Sequence, residues 1–318
     1  MAAILVYIGM IDVLHHFNFV LILLIIYTFA TSIQDIAIDG LTCKIFVEDE
    51  RHIANSMQYG SNLFGNVIGG GVILMFYPWL QWRGALWLLA ILTFITLIQV
   101  VFFKEPETDS QFSISYSRQK LKNIVDDAIL FIKNNRYWFF LLIISPVGFS
   151  AGFSLLNPIL VDAGWSLGRI GFTTQVFGSI VGIISAISAG FLIKRFGRKK
   201  VLVSLTFAQA TSLFLFIPVT LGYTDLFYVC LAIVSYNAIN PALLVTLATL
   251  AMDKTENTPN KATIFTLQMS LVVFIGFCYS ALSLVIAQHI GYTADIVLTM
   301  CLTFIIAVLF WKALLHKQ

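Results

Sequence analysis

The chain has 318 residues, of which 59% are hydrophobic and 11% are charged, and its mean hydropathy is +0.90. A soluble domain carries about 25% charged residues, so this composition excludes an ordinary soluble protein and indicates a polytopic membrane protein. The net charge of +3 adds little, because the positions of charges in a membrane protein matter more than their sum.

Ten apolar segments follow one another along the chain. They are Met1–Met10, Phe17–Ala37, Ser56–Tyr77, Gly84–Phe103, Trp138–Leu160, Gly171–Ile193, Val201–Leu221, Leu226–Met252, Ala262–Ala287 and Tyr292–Trp311. A span needs about 20 mostly apolar residues, so nine segments are long enough and the first is too short. The predicted fold is all-α, a helical bundle with about ten transmembrane segments, the first one partial.

The basic residues alternate between the two sides of these segments. Of the 19 basic residues, only Arg83 and Arg169 fall outside the C-terminal tail and one set of alternate connections. The positive-inside rule places basic connections in the cytoplasm. We therefore expect a multi-pass protein whose C-terminus is cytoplasmic.

The second segment ends on two carboxylates. Asp35 and Asp39 are four residues apart and share one face of a helix. Each costs about 2.5–3.5 kcal/mol inside a bilayer on insertion scales, and such residues usually serve a substrate or proton path. They are candidates for proton coupling, with Gln34 beside them on the substrate path. The alternative is a helix-end pair at the membrane interface, with Asp39 solvated or paired to Lys44.

Amides recur in later segments. Gln58, Asn62 and Asn66 are spaced by four and share one helical face. This stripe could bind the hydroxyls of a sugar, or it could hold neighbouring helices together. We add Asn237, Asn240 and Gln268 to the candidate substrate path, although the lone Gln268 favours a role as a bond between helices.

One long hydrophilic connection, Lys104 to Tyr137, divides the chain. We expect an incomplete N-terminal helical bundle over residues 1–103, a cytoplasmic linker over 104–136 and a C-terminal six-helix bundle over 137–318. Apolar residues at helical spacing within the linker predict an amphipathic helix on the membrane surface. A partner-binding helix is the alternative.

A glycine and a tight basic turn follow the second span of the later bundle. The turn resembles the cytoplasmic signature loop of the major facilitator superfamily, although an ordinary positive-inside anchor would also be basic. Its residues are Gly190, Lys194, Arg195, Gly197, Arg198 and Lys199. In that superfamily each half has six helices. The resemblance therefore implies that the first bundle here lacks the first two helices.

Three stretches carry a more specific resemblance. Gln34-Asp35-Ile36-Ala37-Ile38-Asp39 resembles the signature of the AmpG muropeptide permeases and related acetyl-CoA transporters, and Asn157-Pro158-Ile159-Leu160 and Ala262-Thr263-Ile264-Phe265 extend the match. The resemblance implies a proton-coupled permease of the bacterial inner membrane. Its substrates would be polar, sugar-containing solutes such as anhydro-muropeptides, imported for cell-wall recycling.

Other classes of protein have little support in the sequence. There is no phosphate-binding loop, metal-ligand spacing or nucleophile signature, so we expect no enzyme activity, no metal and no other cofactor. We expect lipid, a small solute and protons as partners, and no nucleic acid. The alternative reading is a truncated, degenerate or non-transporting membrane remnant or subunit, or a transporter of another small solute.

Overall fold

The structure, a computed structural model, describes residues 1–104, 118–258 and 260–314. Within these ranges the chain is helical and contains no strand. Eight of the described helices are long and apolar enough to cross a membrane. The predicted all-α membrane fold is therefore confirmed.

The first block, residues 1–103, contains four helices. They are α1 (Ala2–Met10), α2 (Phe17–Ile45), α3 (Arg51–Asn66) and α4 (Ile73–Phe102), with a π-helical turn at Val67–Val72 between α3 and α4. The predicted segment Ser56–Tyr77 is thus helical throughout, although it is not among the eight apolar spans. α1 packs against α4, and α3 faces the second block.

A break at Gln81 divides α4 into two rods. Gln81 has φ 53° and ψ −170°, and it is the only described non-glycine residue with positive φ. Only a small left-handed region is open to residues with a side chain, so the chain turns here at a cost in backbone strain. Arg83 then stacks over the ring of Trp87 at 4.2 Å. The break falls in the predicted connection between Tyr77 and Gly84.

The linker contains the predicted amphipathic helix as α5 (Arg118–Asn134). The ring of Phe131 is buried and meets Phe139 edge to face, with ring centroids 6.0 Å apart. Asn260 Nδ2 donates to Asp127 Oδ2 at 2.8 Å. α5 therefore packs against the second block through both an apolar and a polar contact.

The second block, residues 137–318, begins just inside the first of its helices. These are α6 (Arg136–Ile144), α7 (Gly152–Ser154), α8 (Leu156–Asp162), α9 (Leu167–Gly171), α10 (Gly178–Phe196), α11 (Arg198–Ser212), α12 (Ile217–Thr220), α13 (Leu226–Asn237), α14 (Asn240–Thr255), α15 (Lys261–Ile290) and α16 (Tyr292–Leu314). They join into six membrane-length rods, the number that the sequence predicts for this bundle.

π-helical or 3-10 turns link the shorter helices within these rods. The turns lie at Val147–Ala151, Phe172–Phe177 and Leu213–Phe216. The core sits mainly within the second block, in three clusters, the smallest of which surrounds Ala186 and Val245. Of the other two, one surrounds Leu142, Leu247 and Phe310, and the other surrounds Leu156, Phe216 and Ile233.

Small residues let the two blocks approach closely. α3 packs along α10 and against α14, and α2 packs along α15. A Cβ built on Gly71 would lie 2.2 Å from Val176 Cγ2, and one on Gly182 would lie 3.0 Å from Leu63 Cδ1. Glycines at such positions allow the backbones of membrane helices to come together. The close approach of the two blocks therefore depends on the absence of side chains at Gly71 and Gly182.

We predict that Gly71→Ala destabilises the protein. The new methyl group would overlap the branched side chain of Val176, and overpacking of this kind typically costs about 1–3 kcal/mol. The measurement is the thermal unfolding midpoint in detergent. Gly65→Ala is the matched control, because no described atom lies within 4 Å of its Cβ position. Equal midpoints for the two variants would contradict close packing at Gly71.

Candidate functional site

Polar side chains join the two blocks at one end of the bundle. This end carries Arg51, the turn Lys194–Lys200, Asp253 and the start of α15 at Lys261, and we call it the basic end. α14 reaches it and packs against α3, whereas α13, farther along the same rod, packs against elements of the second block. The blocks are therefore in contact at the basic end, and they also touch at the far end, where Val67–Val72 packs against Phe172–Phe177.

A buried charge cluster joins the blocks there. Arg51 Nη1, from the first block, lies 3.1 Å from Asp253 Oδ1 and 3.5 Å from Glu256 Oε2. Arg198 Nη1 lies 2.5 Å from the other oxygen of Asp253. The Arg51 side chain is only 7% exposed. A buried guanidinium requires such partners, since removal from water without them costs several kcal/mol.

A second polar contact lies one turn along α3. Asn55 is buried, and its Nδ2 donates to Thr249 Oγ1 at 3.2 Å and to Met252 Sδ at 3.1 Å. Both acceptors belong to α14. Arg51 and Asn55 therefore hold α3 to the same face of α14.

Asp39 connects three helices. Its Oδ1 accepts a hydrogen bond from Gln58 Nε2 of α3 at 2.8 Å, and its Oδ2 accepts a longer one from Thr266 Oγ1 of α15 at 3.4 Å. Asp39 is 9% exposed. Gly40, the next residue, comes close to Ala262, the second residue of α15. Asp39 thus accepts side-chain hydrogen bonds from both blocks, as Asp253 does through Arg51 and Arg198.

Asp35 lies one turn farther into the bundle. At 1.5 Å per residue it is about 15 Å from the end of α2, half of a 30 Å hydrocarbon core, whereas Asp39 is about 9 Å from that end. Asp35 and Gln34 are exposed and form no side-chain hydrogen bond or ion pair with the described residues. The structure therefore separates the two acids that the sequence treats as a pair.

The amide stripe of α3 is divided in the same way. Gln58 binds Asp39, whereas Asn62 and Asn66 are exposed and bond to no described side chain. Their helical spacing is as the sequence indicates, with Gln58 nearest the basic end. The stripe thus begins at the carboxylate and continues toward the middle of the bundle.

The other candidate amides lie inside the second block. Asn237 is buried and donates to the carbonyl of Ile233 at 2.9 Å, and Asn240 donates to the hydroxyl of Tyr236 at 2.9 Å. Gln268 is fully buried and bonds to Trp138 Nε1, Ala251 O and Ile264 O. These bonds occupy the amide of Gln268, which favours the role of a bond between helices over a place on a solute path.

The basic turn has the expected form. Gly197 has φ +81° and separates α10 from α11, which begins at Arg198. Gly190 approaches His52 and Ser56 of α3 at 3.4 Å from its Cβ position. The turn therefore both packs on the first block and, through Arg198, reaches Asp253.

Sequence reasoning did not single out Arg51, Asn55, Asp253 or Thr266. Arg51 counted only among the basic residues that predict topology, and Asp253 follows the last residue of the predicted segment Leu226–Met252. Arg51 and Asp253 are separated by 202 positions, so no local pattern links them. The usable signal was an acid within the last turns of a membrane helix, which calls for a cationic partner.

Sequence comparison places this architecture in a known family. The Major Facilitator Superfamily sequence model matches residues 1–279. The chain belongs to the Major Facilitator Superfamily. Its members are transporters, so the chain is a multi-pass membrane protein of a transporter family. This membership agrees with the resemblance of the basic turn at Lys194–Lys200 to the family's signature loop.

Two curated relatives agree with the more specific resemblance. The chain is 25% identical over 194 residues to the anhydromuropeptide permease of Escherichia coli K12, and equally to that of Escherichia coli O157:H7. Each match spans 60% of this chain and 39% of the permease. The chain thus matches well under half the length of these relatives, and the predicted likeness to AmpG permeases is confirmed at the level of sequence similarity.

A solved structure shows the same fold. A bacterial homologue of the iron transporter ferroportin, crystallised in an outward-facing state, superposes with a TM-score of 0.57 at 13% identity. The superposition covers 92% of this chain and 71% of the homologue. At this identity the likeness concerns the fold alone.

We predict energetic coupling between Arg51 and Asp253. In a double-mutant cycle of Arg51→Gln and Asp253→Asn, the two losses in unfolding free energy should fail to add by about 1–3 kcal/mol, because each change removes the same contact. The measurement is denaturant unfolding in mixed micelles.

The control cycle uses an exposed pair. His15 Nδ1 lies 2.6 Å from Asp12 Oδ2, and the hydrogen bond with His15 lowers the pKa of the Asp12 carboxyl group. Exposed pairs contribute little, so His15→Gln and Asp12→Asn should add. Additivity in the Arg51–Asp253 cycle as well would remove the charge cluster as the link between the blocks.

Proposed function

We propose that this chain acts as a proton-coupled secondary transporter of a polar, sugar-containing solute, with anhydro-muropeptides as the first substrates to test. The proposal rests on the position of Asp39, a buried carboxylate that accepts hydrogen bonds from Gln58 in its own block and from Thr266 in the other. Membership of a transporter family and similarity to anhydromuropeptide permeases support the proposal.

Protonation of Asp39 offers a way to couple proton binding to movement of one block relative to the other. An ionised carboxylate accepts hydrogen bonds on both oxygens, whereas a protonated one becomes partly a donor. While Asp39 stays ionised, Gln58 and Thr266 can both keep donating hydrogen bonds to it. Protonation of Asp39 weakens its hold on two donors that lie on different blocks. Loss of the Thr266 contact frees α2 to separate from α15 at the basic end.

The charge cluster supplies the opposing force. Arg51, Asp253 and Arg198 hold α3, α14 and the basic turn together. Alternating access in this kind of fold rocks one bundle against the other around a central site. If the basic end is cytoplasmic, as the charge distribution predicts, the blocks are in contact on the cytoplasmic side. Opening then requires the Arg51–Asp253 contact to break.

The path residues fit a hydroxyl-rich solute. Asn62 and Asn66 are exposed and continue from Gln58 along α3, away from the basic end, and each amide offers two donors and a carbonyl acceptor. A sugar ring presents alternating hydroxyls that can satisfy such groups. Asp35 lies one turn farther from the basic end than Asp39, on the side of the bundle centre, where transporters of this type bind substrate. We propose Asp35 as a substrate or proton contact and Asp39 as the coupling residue.

The test is uptake of labelled anhydro-muropeptide into vesicles that contain the full chain. We expect uptake that falls when the proton gradient is collapsed. Asp39→Asn keeps the hydrogen bonds geometrically possible but removes the charge, so it should lower gradient-driven uptake by about tenfold or more, within the range of a lost general acid–base group. Thr266→Val should lower it less, because Gln58 still binds Asp39.

Asp126→Asn, an exposed change in α5, is the control and should leave uptake unchanged. Folded wild-type protein without uptake would remove the transport proposal for this chain. Full gradient-driven uptake by Asp39→Asn would leave transport standing and remove Asp39 from coupling. Asp35→Asn is measured in the same assay. A loss of gradient dependence would indicate a proton contact, whereas a raised KM for the solute would indicate a substrate contact.

A further inference from the structure

We propose that a cleft at the basic end binds the phosphate group of a membrane phospholipid. The cleft has a volume of about 880 Å³. It lies between the turn that precedes α3 and the basic turn between α10 and α11. Arg198 and Asp253 of the charge cluster also line the cleft. Its three lysines have no part in the transport proposal, so variants of these lysines test the two proposals separately.

The basic turn gives the cleft unpaired cations. Lys194, Lys199 and Lys200 line it, and all three are exposed. Among the described residues none of these lysines forms an ion pair or a side-chain hydrogen bond. Arg198 also lines the cleft, but Asp253 already holds it. Three cations are therefore left to meet an anion.

The backbone adds to this field. α11 has 15 residues and begins at Arg198 without a side-chain cap, after Gly197 at φ +81°. The first N–H groups of a helix have no partner within the helix and favour an anion. In this cleft they adjoin the lysine side chains, so phosphate would meet both charge and directed donors.

Apolar residues indicate a lipid rather than a free ion. Ile53 and Phe196 line the same cleft, and both are about half exposed, at 49% and 52%. Leu314, near the end of the last described helix, lines it as well. Large apolar side chains beside basic groups at a membrane boundary suit a phosphate that carries a glycerol and acyl chains. A free phosphate has no use for them.

Two carboxylates shape the choice of headgroup. Asp49 and Glu50, from the first block, also line the cleft. They disfavour a ligand of high negative charge and accept hydrogen bonds from hydroxyl or ammonium donors. A phosphodiester with such a donor, as in phosphatidylglycerol, matches both the lysines and the acids. Because the cleft takes residues from both blocks, a bound lipid would favour the closed arrangement of the basic end.

The experiment is native mass spectrometry of the full chain in detergent, titrated with phosphatidylglycerol. We expect discrete lipid adducts on the wild type. Replacing Lys194, Lys199 and Lys200 by glutamine should lower the apparent affinity by about tenfold or more. Replacing all three by arginine should preserve it. The matched control carries Lys133→Gln, Lys254→Gln and Lys312→Gln, exposed lysines outside the cleft, and should bind as the wild type does.

Several results would overturn the proposal. Equal loss of affinity in both glutamine variants would overturn the site, since it would mean general surface charge. Equal binding of diacylglycerol, which has no phosphate, would overturn phosphate recognition. Thermal protection by inorganic phosphate without any phosphatidylglycerol adduct would overturn the lipid assignment. If the triple variant fails to fold, the single glutamine variants are titrated, and unchanged affinity in all three would overturn the proposal.

Discussion

A buried arginine governs how the two helical blocks meet. Arg51 is almost inaccessible to water, and its guanidinium group is satisfied only if Asp253 and Glu256 of the other block stand beside it. An arrangement that separated them without water would leave a charge unpaired at a cost of several kcal/mol. The position of α3 on α14 follows from this requirement, and so do the contacts of Asn55 and the approach of Gly190 to His52.

Asp39 and the charge cluster act on the same boundary in different ways. Arginine side chains cannot be deprotonated in proteins, so the pairing of Asp253 with two arginines gives a fixed attraction between the blocks. Asp39 holds the boundary through hydrogen bonds whose number depends on its protonation. The proposed transport cycle uses both, since the fixed attraction favours closure and protonation of Asp39 favours opening. The glycines along the interface supply the close approach that makes these short polar contacts possible.

The candidate lipid cleft lies beside this boundary, and Asp253 lines it while pairing with both arginines. Local lipid composition could therefore bias the closure of the basic end without any contact with the solute. Charge placement explains the dual use of the turn. The positive-inside rule predicts a basic turn at Lys194–Lys200, and a turn that is basic, uncapped and flanked by apolar side chains also suits the proposed phosphate ligand.

Hydropathy and charge spacing, which are local properties, determined the membrane class and the position of nearly every helix. Motif likeness predicted the family. The sequence also selected Asp35 and Asp39, but as equals on one helix face. Only the tertiary structure decided that Asp39 meets Gln58 and Thr266 while Asp35 meets neither, and that Arg51 pairs with Asp253 across 202 positions. Helix formation depends on residues close together in sequence, whereas the pairing of distant polar groups depends on how the formed helices pack against one another.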